Sequence, residues 1–341
     1  MGNKATPPRS FNTIRRSQTK VRAQRRKNQA VVLLAILATG ALILLSLLVL
    51  GGFSIVNNII SANSPSQGQT PPPPSSTNNI TFVQTTKSSG AIHSGTLILV
   101  NKDYKYTFPI GVMLDDISEN AAKKADNSTT IYGPVPGVEL LERETLQALN
   151  SMMYKYDELF GDTKFAVSSA YRTEAAQGAL NSEVKPGESE HHTGYCVALQ
   201  VFDSTGKNRV NLDPETDHWF YQNCYKYGFI VRYPDEKKDI TGVDRYEHCF
   251  RYVGVAHATY MYQNNLCLEE YLDLLKNSFS SAATRLTISA ADGFEYDVYY
   301  VAASGSDVTT IDVPTSNYEY TVSGDNRSGF IVTVKKPTPA A

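Results

Sequence analysis

The hydrophobic pattern of the chain begins with one long apolar run. Residues 30–50 are apolar residues and glycine, interrupted only by Thr39 and Ser46. About 20 such residues let a helix cross the hydrocarbon core of a bilayer, whereas the apolar part of a cleaved signal peptide has about 7–15. We therefore predict a transmembrane anchor over residues 29–56. A cleaved signal peptide and a buried core helix are the alternatives.

Further along the chain, short apolar runs alternate with helical patterns. Apolar residues recur at the spacing of one helix face from Leu141 to Leu159, and Gly161 suits the end of that helix. The other predicted elements are strands over residues 96–100, 165–169, 229–233 and 250–253, and helices over residues 213–228 and 268–275. This mixture predicts an α+β domain over residues 90–280.

The pattern changes again at Arg285, where the helical spacing stops. The remaining apolar segments are β-rich and separated by Gly, Asp and Asn; they cover residues 286–289, 296–301, 309–313, 318–322 and 330–334. We predict a small C-terminal β module over residues 285–335. The predicted fold class is therefore α+β, behind one N-terminal transmembrane helix and followed by this β module.

Charge is distributed unevenly along the 341 residues, although the formal net charge is only −2. Residues 1–28 carry nine Lys or Arg and no acid, and the rest of the chain carries 23 basic and 34 acidic side chains, a net charge of −11. Basic segments next to an anchor stay in the cytoplasm and attract anionic lipid. We predict a basic cytoplasmic tail over residues 1–28, and no nucleic-acid partner.

The segment after the anchor is rich in Ser, Pro, Gln and Asn, and residues 71–74 are four consecutive prolines. Such a composition buries too little apolar surface to fold, and the prolines keep the chain extended. We predict a stalk over residues 57–89. The protein is then expected in the cell membrane as a single-pass protein, with a cytoplasmic N-terminus and extracytoplasmic C-terminal domains.

Four segments occur together in one order. They are residues 97–102 (LILVNK), 169–177 (SAYRTEAAQ), 187–195 (GESEHHTGY) and 227–254, which runs from YGFIVRYP through TG to FRYVG. With these segments the chain resembles the VanY-type D-alanyl-D-alanine carboxypeptidases, the zinc-dependent M15 peptidases that trim peptidoglycan stem peptides. The resemblance implies the Hedgehog/DD-peptidase fold and a site that faces the cell wall.

The same resemblance implies a zinc site, but this sequence departs from its pattern. The family uses Ser-x-His-x6-Asp followed by Glu-x-x-His, which supplies three zinc ligands and a base for the bound water. Ser189 and His191 match the first part. Ala198 stands at the Asp position, Tyr246 at the Glu position and Cys249 at the second His position. No catalytic set is intact, so no cofactor is expected, and zinc is expected only if a divergent site remains active.

Two neighbours could replace the missing groups only by a change of strand register. Glu247 and His248 each lie one residue from a vacated position. On an extended strand, a shift by one residue turns a side chain to the opposite face of the sheet. Only a local bulge would bring either side chain into the site.

The cysteines suggest three arrangements for the vacated site. On a strand, Cys196 and Ala198 point to the same side, so Cys196 faces the region of the expected zinc, close to Cys249. The two thiols could form a disulfide outside the cytoplasm, form a rebuilt metal site with His191, or be small buried side chains. Cys224 and Cys267 are expected in the core.

The residues that would hold a substrate are better preserved. Tyr171, Arg172 and Gln177 match the Ser-x-Tyr-Arg segment, in which the family's Arg is expected to pair with the ligand's carboxylate. Ser189 and Arg251 complete the predicted substrate-binding set. The alternative for Arg172 is a structural ion pair, and the alternative for Arg251 is a brace within the fold.

These observations lead to three hypotheses. The first is a non-catalytic VanY-like protein that binds a peptidoglycan stem peptide or a cell-envelope protein through the old cleft. The second is a divergent, active zinc-dependent D-alanyl-D-alanine carboxypeptidase with Cys249 as a metal ligand, in which water or another side chain takes the role lost at Ala198. The third is a structural envelope protein that acts through its β module.

Overall fold

The computed structural model describes residues 80–125, 127, 129–161, 165–180, 182–202, 208–215, 217–244, 246–315 and 317–337. The predicted cytoplasmic tail, the predicted anchor and residues 57–79 of the predicted stalk lie outside these residues. Within them, no helix combines the length and the apolar character that crossing a bilayer requires.

The described chain forms a mixed α and β fold. The strands are β1 (Phe82–Ser88), β2 (Leu114–Asp116), β3 (Tyr132–Pro134), β4 (Leu140–Glu142), β5 (Phe165–Ser169), β6 (Cys196–Phe202), β7 (Arg209–Asn211), β8 (Phe229–Val231), β9 (Cys249–Tyr252), β10 (Leu286–Ser289), β11 (Glu295–Ala302), β12 (Val308–Pro314), β13 (Glu319–Gly324) and β14 (Gly329–Lys335). The helices are α1 (Ile117–Asn120), α2 (Arg143–Phe160), α3 (Glu174–Gly178), α4 (His218–Asn223), α5 (Lys238–Thr241), α6 (Val255–Gln263) and α7 (Leu268–Ser278).

The central sheet carries the site. Its strand order is β3-β5-β6-β9-β8, with β7 paired to β6 at one end. The β3–β5 pair is parallel, and the other neighbours are antiparallel. Because side chains alternate along β6, Val197 and Leu199 join the core that contains helix α2, while Cys196 and Ala198 point to the opposite face.

Helix α2 forms where the sequence predicts it. Leu146, Leu149, Met152 and Met153 are buried on one face, the Glu142 side chain accepts a hydrogen bond from the Thr145 amide at the N-terminus, and Gly161 ends the helix at φ 62°. The predicted helix over residues 213–228 is shorter in the structure. It consists of α4 and a 3-10 turn (Cys224–Tyr227), which ends at Gly228.

One predicted strand is wrong. Residues 97–100 are fully buried, as their apolar character indicates, but they form no strand. Their backbone groups bind distant partners instead: the Leu97 amide donates to the Ser323 hydroxyl, the Leu99 amide donates to the Asp325 carbonyl, and the Leu99 carbonyl accepts from Asn326. This segment is therefore held by tertiary contacts rather than by a sheet.

The five predicted C-terminal strands are present as β10 to β14. Four of them form the sheet β10-β11-β14-β13, and β12 pairs instead with β1 in an antiparallel ladder from Phe82–Pro314 to Ser88–Val308. The structure thus assigns residues 82–88 to a strand, although they belong to the predicted stalk. The β module is built from both ends of the described chain.

Both faces of the four-stranded sheet are covered. Val298, Tyr300 and Ile331 pack with helices α6 and α7, whereas Tyr299, Val332 and Val334 pack with Ile311 and Val313 of β12. Buried His257 of α6 connects the layers, because its ring nitrogens bind the hydroxyl groups of Tyr271 in α7 and Thr333 in β14. The module and the α+β domain therefore share one core.

Candidate functional site

The site is centred on a short 3-10 turn, Glu190–Thr193, which precedes β6. The Ser189 hydroxyl accepts a hydrogen bond from the His191 amide, and Gly194 ends the turn at φ 77°. The Arg172 amide donates to the His191 carbonyl at 3.0 Å, and the His192 ring binds the Arg172 carbonyl at 2.7 Å. The predicted substrate-binding segment and the predicted metal-binding turn are thus adjacent.

His191 is buried and electrically neutral at physiological pH. Its Nε2 lies 2.9 Å from the Tyr246 hydroxyl, while its Nδ1 has no hydrogen-bond partner at acceptable geometry. Burial lowers the pKa of His191 to about 3, and the positive charge of Arg172 acts in the same direction, against a smaller opposing effect of the Cys196 and Ala170 backbones. The ring is consequently a neutral nitrogen donor.

The three central strands place the substituted positions side by side. Ala198 of β6 is opposite Ser169 of β5 on one side and opposite Cys249 of β9 on the other. Cys196 and Cys249 form a disulfide, and both are fully buried beside Tyr233, Val243 and Tyr246. Of the three arrangements considered for these two cysteines, the structure has the disulfide. The free cysteines Cys224 and Cys267 are buried, as predicted.

Tyr246 covers the disulfide at the position where the family has its base. Its ring packs against Tyr233 and His248, and its hydroxyl contacts His191. Burial raises the pKa of Tyr246, although the Arg172 charge partly opposes this effect. Tyr246 therefore stays protonated at neutral pH and is not a general base.

Neither neighbour of the vacated positions replaces the missing groups. Glu247 lines a separate cavity of about 280 Å³ together with Tyr221, Phe229 and Met261, and none of the site residues lines that cavity. His248 is buried against Tyr246, and the His248 carbonyl accepts a hydrogen bond from the Leu199 amide. These contacts agree with the expectation that the side chains of Glu247 and His248 point away from the expected zinc position.

The residues present do not fit a catalytic zinc ion. One donor atom from each of His191, Cys196 and Cys249 lies within 4.8 Å of the others. However, zinc binds thiolates, and the two sulfur atoms are joined in a disulfide. Ala198 offers no donor. With the disulfide closed, His191 is the single ligand of the family pattern that remains.

Arg172 is the charged group that faces this site. Its guanidinium donates to Gln177 Oε1 at 2.8 Å and to Ser169 Oγ at 2.5 Å, and Gln177 is fixed in turn by the Val184 carbonyl. Burial lowers the pKa of Arg172, and no described carboxylate lies within ion-pair distance of it. A half-buried guanidinium with neutral partners can accept the carboxylate of a ligand.

The other predicted substrate residues lie at different depths. The Ser189 side chain is buried and caps the turn, and Gln177 orients Arg172, so both support the site from within. Tyr171 is half-buried, and its amide donates to the Leu140 carbonyl. On the side of His192, the rings of Tyr106 and Phe108 form an aromatic wall.

Arg251 has the structural role that was the alternative to substrate binding. It is fully buried, donates to the carbonyl groups of Thr96 and Ile98, and pairs with Glu190. Glu190 also pairs with Arg232 at 2.7 Å, and Arg232 binds both carboxylate oxygens of Glu269. This buried ion network holds the turn that carries His191.

Sequence reasoning missed Glu190, Arg232 and the partner role of Ser169. The signal for Ser169 was its place at the start of the segment that contains Arg172. Glu190 and Arg232 lie inside two of the four recognised segments, but nothing local indicates that they pair, since they are 42 positions apart.

The comparisons with known proteins agree with this geometry. The family model of the VanY D-alanyl-D-alanine carboxypeptidases matches residues 139–255. A D-alanyl-D-alanine carboxypeptidase of Enterococcus faecium is 32% identical over 253 residues, which cover 71% of this chain and 76% of that protein. A D-alanyl-D-alanine carboxypeptidase of Enterococcus faecalis is 39% identical over 120 residues, which cover 34% of this chain and 42% of that protein.

A solved structure extends the likeness to most of the fold. The vancomycin-resistance D,D-dipeptidase VanXYg, crystallised with a D-Ala-D-Ala phosphinate analogue, has a TM-score of 0.60 and 25% sequence identity to this chain. The match covers 75% of this chain and 100% of that chain. By sequence and by fold, this chain belongs to the VanY family of D-alanyl-D-alanine carboxypeptidases.

Proposed function

We propose that the protein is a membrane-anchored, extracytoplasmic member of the VanY family that binds a peptidoglycan stem peptide without cleaving it. The observation that carries the proposal is the contrast between two adjacent groups. Arg172 is held ready by Ser169 and Gln177 with no described acidic partner, whereas the cysteine at the expected ligand position, Cys249, is locked in a disulfide.

The chemistry of the described site supports binding and not hydrolysis. Hydrolysis in this family needs an activated water, a metal that holds it and a carboxylate that takes its proton. Here the base position is a protonated tyrosine and the Asp position is Ala198, so nothing at these positions activates water. Arg172 can still form a charge-assisted pair with the terminal carboxylate of a peptide.

The ligand of a crystallised relative supports the choice of ligand. VanXYg was crystallised with a D-Ala-D-Ala phosphinate analogue. We extend this to a stem peptide that ends in D-Ala-D-Ala, with the terminal carboxylate on Arg172. Membrane anchoring is proposed from the apolar run over residues 29–56, and it puts the site on the side of the cell wall.

The binding test compares two changes that remove the same contact. Calorimetry measures the affinity of the full-length protein for a stem pentapeptide with a free C-terminus and for the C-terminal amide. Loss of one charge-assisted contact costs about 1.5–3 kcal/mol, or about 10- to 100-fold in affinity. We expect this loss for Arg172→Ala with the free peptide and for the wild type with the amide. For the Arg172→Ala variant, replacing the free acid by the amide should cause no further loss of affinity.

Controls make the test specific to the site. Arg209→Ala, on exposed strand β7, should bind the acid like the wild type. If Arg172→Ala binds the acid with unchanged affinity, peptide recognition through Arg172 is refuted. D-alanine release is measured in the same samples, and release that depends on zinc and on His191 would instead establish the active carboxypeptidase.

The anchor is tested separately. Deletion of residues 29–56 is expected to move the protein from the membrane fraction to the soluble fraction, because these residues contain the apolar run. A protein that stays in the membrane fraction after the deletion would refute the proposed anchor.

No specific observation favours action through the β module. Both faces of its four-stranded sheet are covered within the described residues, one by helices α6 and α7 and the other by the β1–β12 pair. If the peptide fails to bind in the test above, the alternative is that the cleft binds a cell-envelope protein in place of the peptide.

A further inference from the structure

A cavity lies beside β8, the edge strand of the central sheet, and apart from the site of Arg172 and His191. It has a volume of about 280 Å³, far more than a single water molecule needs. All three residues of β8 line it, and the rest of the lining comes from the region of α4, from α6 and the loop after it, and from the segments on either side of α5. We call it the β8 cavity. Peptide binding at Arg172 does not involve it.

The lining of the β8 cavity is largely apolar and aromatic. Phe229 and Met261 are fully buried, whereas Tyr262 and Asn265 are exposed, so the cavity opens to solvent on the side of the latter two. The rings of Tyr225 and Tyr262 are stacked, with 4.0 Å between their centroids. Such a lining suits the apolar part of a ligand, and tyrosine rings also attract cations.

Two carboxylates line the same cavity. Glu236 is exposed, and Glu247 is half-buried. Neither forms an ion pair with another described residue: Lys237 pairs with Glu270, and Lys226 donates to an asparagine of α4. The negative charge at the cavity therefore has no described partner of opposite sign.

The surroundings of Glu247 agree with a missing positive charge. Burial raises the pKa of Glu247, and the negative charges of Asp235, Glu236 and Asp213 act in the same direction, against an opposing effect of the Asp235 backbone. A cation bound at Glu247 would offset both the burial and the repulsion. The carboxylates thus define the sign of charge that the cavity can accept.

We infer that the β8 cavity binds a short alkylammonium group, with the ammonium on Glu247 and Glu236 and the alkyl chain against the apolar lining. Both carboxylates would repel an anion, and a neutral apolar ligand would leave their charge without a partner. Free amines and lysine side chains both carry this group. The inference concerns the β8 cavity alone and does not depend on peptide binding.

The experiment follows ligand binding at a residue of the cavity itself. The full-length protein is labelled with ¹³C in its methionine methyl groups, and Met261 is assigned with the variant Met261→Leu. Met261 lines the cavity, whereas Met152 and Met153 are buried in the core that contains helix α2. A ligand in the cavity should therefore shift the Met261 signal and leave the other two unchanged.

Three probes of similar size differ in charge: pentylammonium, its neutral isostere 1-pentanol, and hexanoate. We expect pentylammonium to bind with a Kd of about 1 mM, an affinity within reach of a ligand of this size. Loss of one charge-assisted contact costs about 10- to 100-fold in affinity, so 1-pentanol should bind more weakly by that factor. Hexanoate should not shift Met261.

A variant locates the ammonium. Glu247→Gln keeps the shape of the side chain but removes its charge, so it should weaken pentylammonium binding about 10- to 100-fold and leave 1-pentanol binding unchanged. The matched control is Glu119→Gln, which removes the same charge from an exposed residue of α1 outside the cavity. It should bind pentylammonium like the wild type.

The outcomes separate clearly. If Met261 does not respond to pentylammonium, if 1-pentanol or hexanoate binds as tightly, or if Glu247→Gln keeps wild-type affinity, the inference is overturned. A lysine with both its α-amino and carboxyl groups blocked is the last probe. If it also binds, lysine side chains are a source of the ligand; if only pentylammonium binds, the ligand is a free amine, and both results support the inference. Binding of the stem peptide tests the proposed function independently, because it depends on Arg172.

Discussion

Replacing Glu190 by Gln would remove the acid shared by two buried arginines. One Glu190 oxygen lies 2.7 Å from Arg232 Nε, and the other pairs with Arg251 Nη1. Both guanidinium groups have no exposed side-chain surface. Gln keeps the shape of the side chain but removes its charge and places an NH₂ group against one of the two donors.

The two arginines do not suffer equally. Arg232 keeps Glu269, which accepts from Nη2 at 2.8 Å and from Nη1 at 3.1 Å. Burial disfavours the charge of Arg232, but Glu190 and Glu269 together raise its pKa well above the usual value. Arg251 keeps only carbonyl groups, those of Thr96, Ile98 and Tyr252. The variant therefore leaves one buried charge without a described acidic partner.

Loss of one partner of a buried ion pair costs about 3–5 kcal/mol, and we expect Glu190→Gln near the lower value because Gln still accepts one hydrogen bond. This is a large part of the about 5–15 kcal/mol that stabilises a typical domain. Urea unfolding, followed by circular dichroism, measures the change as a lower midpoint at an unchanged slope.

Two variants serve as controls. Asp103→Asn removes an ion pair whose side chains are 76% and 61% exposed, and such pairs contribute about 0–1 kcal/mol. Glu269→Gln leaves Arg232 paired to Glu190 and should cost less than Glu190→Gln. If Glu190→Gln were no more destabilising than Asp103→Asn, the buried network would not hold the turn that carries His191.

Three further predictions concern the fold. Reducing the Cys196–Cys249 disulfide in the presence of a chelator should lower the free energy of unfolding by up to about 4 kcal/mol, since reduction opens a loop with a sequence separation of 53. The control variant Cys224→Ser should lose the same free energy on reduction. A urea midpoint that does not change on reduction would contradict the prediction. A chain that begins at residue 90 should melt at a lower temperature than one that begins at residue 79, because only the latter keeps the seven-residue β1–β12 ladder; equal melting temperatures would refute this role of β1. Burial lowers the pKa of His257 to about 3, below its ordinary value of about 6.5. Between these two values the unfolded chain binds a proton at His257 and the folded chain does not, so the free energy of unfolding falls by about 1 kcal/mol between pH 7 and pH 5.5. His257→Gln should show a shallower loss of stability over this range by urea unfolding, and parallel curves for the two proteins would exclude this contribution.

Local alternation was enough to find the β-module strands. In β10, Leu286 and Ile288 are buried, and Thr287 and Ser289 are exposed, which is the period of two that a half-buried strand needs. Strand β5 occupies the residues predicted for it, because all its positions are buried or half-buried and its apolar run is short. In these cases the neighbours of each residue in sequence carry the information.

Elements held by distant partners could not be found in this way. Residues 97–100 have the composition of a buried strand, but their backbone groups are satisfied by Ser323, Asp325 and Asn326, which lie more than two hundred positions away. Strand β1, in contrast, is a strand in the structure although its composition does not indicate one. It contains few apolar residues and becomes a strand by pairing with β12.

The site was partly predictable for a related reason. The register inherited from the family put Cys249 at a vacated ligand position, and the period of two put Cys196 on the same face as Ala198, so the closeness of the two cysteines followed from their positions. The choice of a disulfide over a metal site or two free thiols did not follow from the sequence. The role of Arg251 did not follow, because its partner Glu190 lies 61 positions away. Sequence spacing indicates which face a side chain takes, but not which charge it meets there.

The β1–β12 ladder has a consequence for the order in which the chain can fold during synthesis. β1 is the first strand described, and its partner, Val308–Pro314, emerges only after the whole α+β domain has been made. Until then β1 has an unpaired edge, and such edges favour wrong pairing. The central sheet can form earlier, since all its strands lie before residue 253. The ladder therefore forms after the central sheet, and a chain terminated before residue 308 would lack it.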